Sequence, residues 1–396
     1  MVTLRAMEYI LSFILVPYLL RVLGPAQYGA IAFMQGIIGY FSLCINYSFP
    51  LIAPRDIAQA KESDIPRLFS AYFWAMALLW LLVSVVFFAG YQLLLLVYPV
   101  TLDLPLFFAV YTSVIGLVIF PIWYFQGIQQ MRYITILNLT GRLVTMLLLF
   151  LLVRSPDDYV MAAFLMSCTP LFAGILSWKV IHDISPGILQ KPAWQDLRAA
   201  YREGWQIFVS SLAVNLYTTS DIVILGVLTN DTIVGYYSGA DKLIGCIKQA
   251  VAAVNAAVYP YISKVMQESV DRGLQFLKKQ LLVYTVLGVL GGAALYLLSP
   301  WGIPWLLGEK YIPSIGPLQV MAFVPLVVAM SNVMGYETML PLGMEKIYSK
   351  VLITASIFNL IIICPLISWK GAEGTALAVL CTETMVTVIM AVVLWK

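Results

Sequence analysis

Charge is scarce in this chain of 396 residues: 11% of it is Asp, Glu, Lys or Arg, against 61% that is hydrophobic. A soluble domain carries about 25% charge, so there is too little here to cover a water-facing surface, and lipid is the solvent the composition fits. Histidine occurs once, as His182, which leaves little imidazole for acid–base or metal chemistry. The five cysteines, Cys44, Cys168, Cys246, Cys364 and Cys381, lie in apolar runs without CxxC spacing or a neighbouring histidine, and read as small hydrophobes. Neither a P-loop nor a GxGxxG fingerprint sits between a strand and a helix, so this chain does not drive a pump with nucleotide. A net charge of +3 is too slight to imply nucleic acid. Strict alternation of apolar and polar residues is missing, which excludes a transmembrane barrel.

What the chain has is apolar runs of about 18–25 residues, each long enough for a helix to cross a hydrocarbon core roughly 30 Å thick. Spans are predicted near 6–22, 30–52, 69–96, 105–127, 135–153, 159–179, 204–226, 232–258, 280–299, 317–342, 350–368 and 374–395. The first is read as a retained helix, since no small-residue cleavage signature follows it. With the amino terminus inside, sixteen basic residues fall in inner segments and four, Arg21, Arg154, Lys310 and Lys370, in outer ones. That asymmetry predicts both termini in the cytoplasm. The longest outer connection, around Leu306–Ser314, is too short to carry a catalytic domain, and no enzyme is expected.

The inner connection 180–203 carries Ser185-Pro186-Gly187, then Trp194, Leu197, Tyr201 and Trp205 at helical spacing with Arg198 and Arg202 off the stripe. It reads either as a short interfacial helix between two six-helix halves or as a plain linker. A shift of 206 residues superposes Gly29 on Gly235, Gly39 on Gly245 and Pro54 on Pro260, as parallel repeats about an axis along the membrane normal would. A later echo, Gln126-Gly127 against Leu342-Gly343, needs a shift of 216.

An ionised side chain at a helix centre costs ~2.5–3.5 kcal/mol on insertion scales, so each intramembrane charge needs a reason. In the fifth span Thr135, Asn138, Arg142 and Thr145 share one face, and an arginine among amide and hydroxyl groups suits an anion. In the eighth, Asp241, Gly245, Lys248 and Asn255 share a face bordered by Lys242 and Gln249. The second presents Gln35, Gly39, Ser42 and Asn46, and the seventh clusters Tyr217, Thr218 and Asp221. Glu383 lies mid-span in the twelfth, and Glu337 nearer the inner end of the tenth. For Asp221, Asp241, Lys242 and Lys248 two readings stand: packing pairs or a functional site. The acids relay protons, hold sodium, or bond neighbouring hydroxyls while protonated. Arg55, beside Asp56 at the inner mouth of the second span, fits the positive-inside pattern and a functional role equally.

Several segments then resemble a known family: VPYLLRVLGPAQYGAIAF (16–33), APRDIA (53–58), WYFQGIQQMRYITI (123–136), LYTTSDIVILGVLTNDTIVGYYSGADKL (216–243) and LLGEKYIPSIGPLQVMA (306–322). They are similar to Wzx-type O-antigen and polysaccharide flippases, the polysaccharide biosynthesis proteins of the multidrug/oligosaccharidyl-lipid/polysaccharide exporter superfamily. The resemblance implies an all-α polytopic protein of about twelve transmembrane helices, with two six-helix bundles (1–180 and 204–396, joined by a cytoplasmic linker 181–203) in a V-shaped, MATE-like fold. The implied cargo is an undecaprenyl-diphosphate-linked oligosaccharide moved to the outer leaflet of the bacterial cytoplasmic membrane by alternating access. By position, the implied substrate-binding residues are Arg55, Arg142, Lys242 and Lys248, with Asn138 and Gln35. Asp221, Asp241 and Glu383 are the implied coupling residues for H+ or Na+. No other cofactor and no metal is expected; membrane lipids, a polysaccharide polymerase and a chain-length regulator are the implied partners. A cation-coupled multidrug exporter of the same superfamily is the alternative, in which the acids carry the ion and the bases are structural.

Overall fold

The computed structural model describes residues 2–97 and 103–395, with side chains placed for all but 2–13, 94–97, 210, 213, 214 and 216–218. Among the described residues all regular structure is helical, as lipid demands of a chain that must satisfy its own backbone. The helices are α1 (Val2–Asn46), α2 (Phe49–Gln59), α3 (Ile65–Val97), α4 (Leu104–Ile119), α5 (Ile122–Gly127), α6 (Met131–Leu152), α7 (Tyr159–Ile184) and α8 (Trp194–Leu228). They continue as α9 (Asp231–Glu268), α10 (Val270–Leu307), α11 (Ile315–Met321), α12 (Val324–Asn332), α13 (Glu345–Lys370) and α14 (Ala372–Trp395), with a π-helical turn at Val333–Met339 after α12.

These make twelve crossings. Gly24, at φ +76°, divides α1 in two: glycine takes that left-handed backbone at no steric cost, and Pro25 opens the second helix with φ already set and no N–H to satisfy. α4 and α5 form one crossing, as do α11, α12 and the π turn. Ten stretches among the described residues are long and apolar enough to span a membrane. The expected spans 6–22 and 204–226 fall partly on undescribed side chains, and both are helical throughout. Large apolar side chains are exposed along α10, including Leu282, Val286, Leu290 and Leu297, the lipid-facing surface of a spanning helix. Trp301 and Trp305 stand exposed at its end, where indole rings favour the interface.

Packing gathers the chain into two units, residues 1–15 with 34–212 and residues 16–33 with 213–396. In the first, α7 packs on α4 and α6 through small residues: a Cβ on Gly116 would come within 2.5 Å of the Leu171 nitrogen, and one on Gly141 within 2.8 Å of the Thr169 carbonyl oxygen. Close backbone approach of this kind drives association where lipid removes the hydrophobic incentive. The 194–205 stripe divides in two, with Leu197 buried and Trp194 and Trp205 exposed. The short interfacial helix expected there is instead the start of the single 35-residue α8. No proline interrupts it, and Gly204 sits inside the helix against the Ser48 hydroxyl. Tyr201 donates to the Ala75 carbonyl at 2.8 Å, and Tyr47 donates to the Tyr201 carbonyl at 3.0 Å.

In the second unit the 206-residue repeat becomes physical. A Cβ on Gly29 would lie 1.7 Å from the Asp231 carbonyl oxygen, and one on Gly235 would lie 1.9 Å from the Pro25 carbonyl oxygen. Residues 25 and 29 thus meet the repeat-equivalents of one another, 231 and 235, reciprocally, which is the contact pattern of a two-fold axis. The equivalent helix starts use different chemistry. Gly24-Pro25 opens one, and Asn230 caps the other by accepting from the Ile233 N–H at 3.0 Å. The later echo carries no such equivalence: Gly127 packs helically on Ile57, while Gly343 takes φ +73° in open space.

Candidate functional site

Four helices of the second unit place polar groups around one cavity of about 100 Å3. α8 supplies Asp221; α9 supplies Tyr237, Asp241 and Lys248, which fall one or two turns apart; α13 supplies Asn359; and α14 supplies Thr382 and Glu383. Ile222 and Val379 complete the wall. Asp221 is only 7% exposed and Asn359 only 1%. Asn359 donates through Nδ2 to the Thr382 hydroxyl at 3.2 Å, and Thr382 donates in turn to the Ala378 carbonyl at 2.8 Å. The Asp221 Oδ1 and Asn359 Oδ1 atoms are left buried without a hydrogen-bond partner among the described residues. Lys248 Nζ stands 3.9 Å from Asp241 Oδ1.

Three carboxyls therefore share the space with one ammonium, and the unmatched atoms are acceptors. Such a cavity offsets its own desolvation by taking up positive charge, and its size suits a proton, or a small ion with a few waters, far better than a drug-sized molecule. No group of three or more acidic, histidine or cysteine side chains converges as a metal site among the described residues. Sequence reading named Asp221, Asp241, Lys248 and Glu383, and the structure brings these four together. It missed Tyr237, Asn359 and Thr382. A lone amide in the apolar run of α13 was the available signal for Asn359.

Lys242 does not line this cavity. It lies beside Tyr28, a phenol 2% exposed at the start of the second crossing. Arg21, in the same RVLGPAQYG segment, donates from Nε to the Leu306 carbonyl at 2.9 Å and from its other end to the Trp305 carbonyl. It thereby caps the last carbonyls of α10, which lack helical partners.

The other expected residues, Gln35, Arg55, Asn138 and Arg142, belong to the first unit. Arg55 pairs with Asp56 at 2.7 Å and with Glu203 in the amino-terminal part of α8, and Tyr72 donates to the second Asp56 oxygen. On α6 the polar stripe is divided. Thr145 is spent on packing, bonding the Thr169 hydroxyl of α7 at 2.9 Å and the Arg142 carbonyl at 3.1 Å. Asn138 and Arg142 remain half-buried, and the Arg142 guanidinium has no ion-pair or hydrogen-bond partner among the described residues. Gln35 is half-buried on α1. The side chains of Tyr217 and Thr218 lie outside the described residues.

Comparison with known proteins places this geometry in context. The chain is 29% identical over 398 residues to the "Putative O-antigen transporter" of Escherichia coli strain K12, covering 97% of this chain and 92% of that one. It is 27% identical over 387 residues to the protein of the same name from Shigella dysenteriae, covering 97% and 95%. Among solved structures it is similar to the lipid II flippase MurJ in an inward closed conformation, with a TM-score of 0.80 at 12% identity over 100% of this chain and 87% of that one. It is also similar to an inward-facing multidrug resistance MATE family transporter of the MOP superfamily, with a TM-score of 0.75 at 12% identity over 98% and 92%. The fold is that of a multi-pass membrane transporter, as the family resemblance implied. The model of the polysaccharide biosynthesis protein family matches residues 1–266, two thirds of the sequence, and the chain belongs to that family.

Proposed function

We propose that the protein is a flippase that carries an undecaprenyl-diphosphate-linked oligosaccharide, an O-antigen or related repeat unit, from the inner to the outer leaflet of the bacterial cytoplasmic membrane. The observation that carries this reading is near-full-length likeness to two proteins named as O-antigen transporters. Both termini lie in the cytoplasm on this reading, and a polymerase and a chain-length regulator receive the product.

The chemistry divides between the units. Arg142, half-buried and without a counter-charge among the described residues, suits the diphosphate: a guanidinium offers paired donors to phosphate oxygens and offsets their desolvation. Asn138, one helical turn away on the same face, and Gln35 offer neutral hydrogen bonds to sugar. Lys242 and Lys248 are weaker anion sites, since Tyr28 and Asp241 already adjoin them, and Arg55 must first leave Asp56 and Glu203. The cavity of Asp221, Asp241 and Glu383 takes up H+ or Na+, so that ion binding biases the conformational equilibrium that cargo alone leaves balanced.

The acid-rich cavity also favours a second reading, an exporter of cationic drugs. Purified protein in proteoliposomes separates the two. Transbilayer movement of a matched lipid-diphosphate oligosaccharide above that of protein-free vesicles is expected, faster under a proton or sodium gradient. Export of cationic dyes with no glycan movement would assign the protein to the drug exporters.

A further inference from the structure

One buried carboxyl in the second unit lies outside the cavity just described. Glu337 is 0% exposed, and neither of its oxygens has a hydrogen-bond partner among the described residues. It sits in the π-helical turn Val333–Met339, where Leu340 N–H bonds back to Gly335 at 3.2 Å and the Thr338 hydroxyl to Val333 at 2.7 Å, both over five residues. A π turn inside a helix is less stable than the α-helix it replaces, and such turns gather at functional sites.

The surroundings are polar in an otherwise apolar core. From α10, Gln280 and Tyr284 face the carboxyl. Both side-chain polar atoms of Gln280 are buried and unpartnered among the described residues, as is Asn255 Nδ2 of α9. The Asn255 oxygen accepts from the Tyr284 hydroxyl at 2.6 Å. Tyr284 packs against a buried apolar cluster of Ile262, Met266, Leu277 and Val333, the last of which opens the π turn. The side chains set against the turn from α9 and α13 include phenols: the Tyr259 ring of α9 lies 4.4 Å from that of the neighbouring Tyr336, and Tyr348 of α13 lies against Gly335. Tyr348 in turn faces Glu383 of α14. No basic side chain faces Glu337 among the described residues.

An uncompensated carboxylate in such a place costs several kcal/mol. Something positive must accompany it, and no ammonium or guanidinium does. A hard cation such as calcium takes six to eight oxygens; one carboxyl and one amide fall far short, whereas a proton needs only one oxygen. We propose that Glu337 is a proton-binding site of the transport cycle, separate from the Asp221–Glu383 cavity, with Gln280 and Tyr284 as the groups that receive its hydrogen bonds as the π turn rearranges. Protonation forms one O–H bond with a proton drawn from solvent on one side of the membrane. Release breaks that bond and returns the proton to solvent on the other. The role in transport rests on the flippase reading; the binding of the proton does not.

The test uses the full-length protein in lipid nanodiscs, with infrared difference spectra taken across a pH titration. The wild type, and an Asp221→Asn/Glu383→Gln double variant, are expected to show a protonated-carboxyl C=O band that Glu337→Gln lacks. Identical spectra for wild type and Glu337→Gln would overturn the proposal. Glu337→Gln keeps the size and hydrogen-bonding capacity of the side chain, and thermal unfolding checks that it folds. In proteoliposomes, Glu337→Gln is expected to lose the acceleration given by an imposed pH gradient by roughly tenfold or more, while Gln280→Glu, which adds a competing acid, shifts the pH at which the gradient acts. An undiminished response to the gradient in Glu337→Gln would also overturn the assignment. Absence of glycan movement in the wild type would strike the flippase reading alone, because the spectra need no cargo.

Discussion

The two stretches of α9 on either side of Ala240 do opposite work. From Val234 to Ala240 nearly every residue is buried, Gly235 lies against the Pro25 backbone, and Gly239 lies against Tyr311. From Asp241 to Gln249 only Ile244 is buried, and the polar Asp241 and Lys248 open onto a cavity. One continuous helix thus joins a segment whose Gly235 admits no added atom to a segment whose charged side chains line a cavity. The lesson is that a segment's resemblance to a family and its chemistry need not coincide. RVLGPAQYG, one of the segments that carry the family resemblance, is architecture: Arg21 caps α10, Gly24 turns the chain, Tyr28 fills the core and Gly29 admits α9.

The comparison is broken most severely at the glycine seam. Gly29→Val and Gly235→Val force atoms into carbonyl oxygens already within 2 Å of the missing Cβ, so each is expected to cost about 1–3 kcal/mol or more. Gly245→Ala, with nothing within 4 Å, is the control, costing little. Thermal unfolding of the purified variants in detergent checks this, and equal melting temperatures for Gly235→Val and Gly245→Ala would refute the seam.

At the other end of α9 the effect moves from stability to coupling. Asp221→Asn and Glu383→Gln each remove a carboxyl from the cavity while keeping its shape, so the folded protein is expected to persist. Stimulation of transport by an ion gradient is expected to fall roughly tenfold or more, the factor that about 1.4 kcal/mol of lost interaction gives. Flux measured with and without the gradient decides it. A variant that loses flux equally in both conditions would place these acids in cargo binding instead.

The twelve crossings were legible because length and hydropathy decide them locally, and the polar stripe on α6 because a period of 3.6 is visible in one segment. The gathering of Asp221, Asp241, Lys248 and Glu383 was legible only as separate intramembrane charges, since no sequence pattern says which helices turn toward one another. Asn359 and Thr382 are a single amide and a single hydroxyl in apolar runs, and their value appears only when α13 and α14 lie against α8 and α9. The α6 stripe was over-read for the same reason: Thr145 sits on the polar face, yet Thr169 of α7 takes its hydroxyl. The seam glycines were the exception. Their spacing of 206 was visible, and the structure supplied the reason for it.

A smaller separation is expected between the bases. Arg142→Ala removes an unpartnered guanidinium and is expected to abolish most glycan transport, while Lys242→Ala, which removes an ammonium beside Tyr28, is expected to lose less, and both are expected to leave the protein inserted. Loss of roughly ten- to hundredfold corresponds to a charge-assisted contact worth about 1.5–3 kcal/mol. Initial flux against cargo concentration measures it. Full activity in both variants would remove the diphosphate site from these positions, and Arg142→Lys should recover part of the loss if charge, and not the planar fork, is what the cargo needs.

The weakest effect belongs to the amino-terminal end of α8, which is held by charge where α9 is held by close packing. Arg67 of α3 donates from Nε to Asp196 Oδ2 at 2.9 Å, and this guanidinium holds the Asp196 carboxyl below the usual carboxylate range, against a smaller opposing effect of burial. The sign follows from linkage. A carboxyl whose folded pKa is depressed stabilises the fold above its unfolded value, near 3.9, and that contribution disappears as pH falls through the lower folded value. Asp196→Asn is therefore expected to lower the melting temperature slightly at neutral pH and to match the wild type once the solution is acidic enough to protonate Asp196. Because Arg67 is largely exposed, salt screens the pair, and the neutral-pH difference should shrink as ionic strength rises. A difference between variant and wild type that persists in acid and in high salt would mean that Asp196 acts through packing, and the distinction between the charged end of α8 and the glycine seam of α9 would not hold.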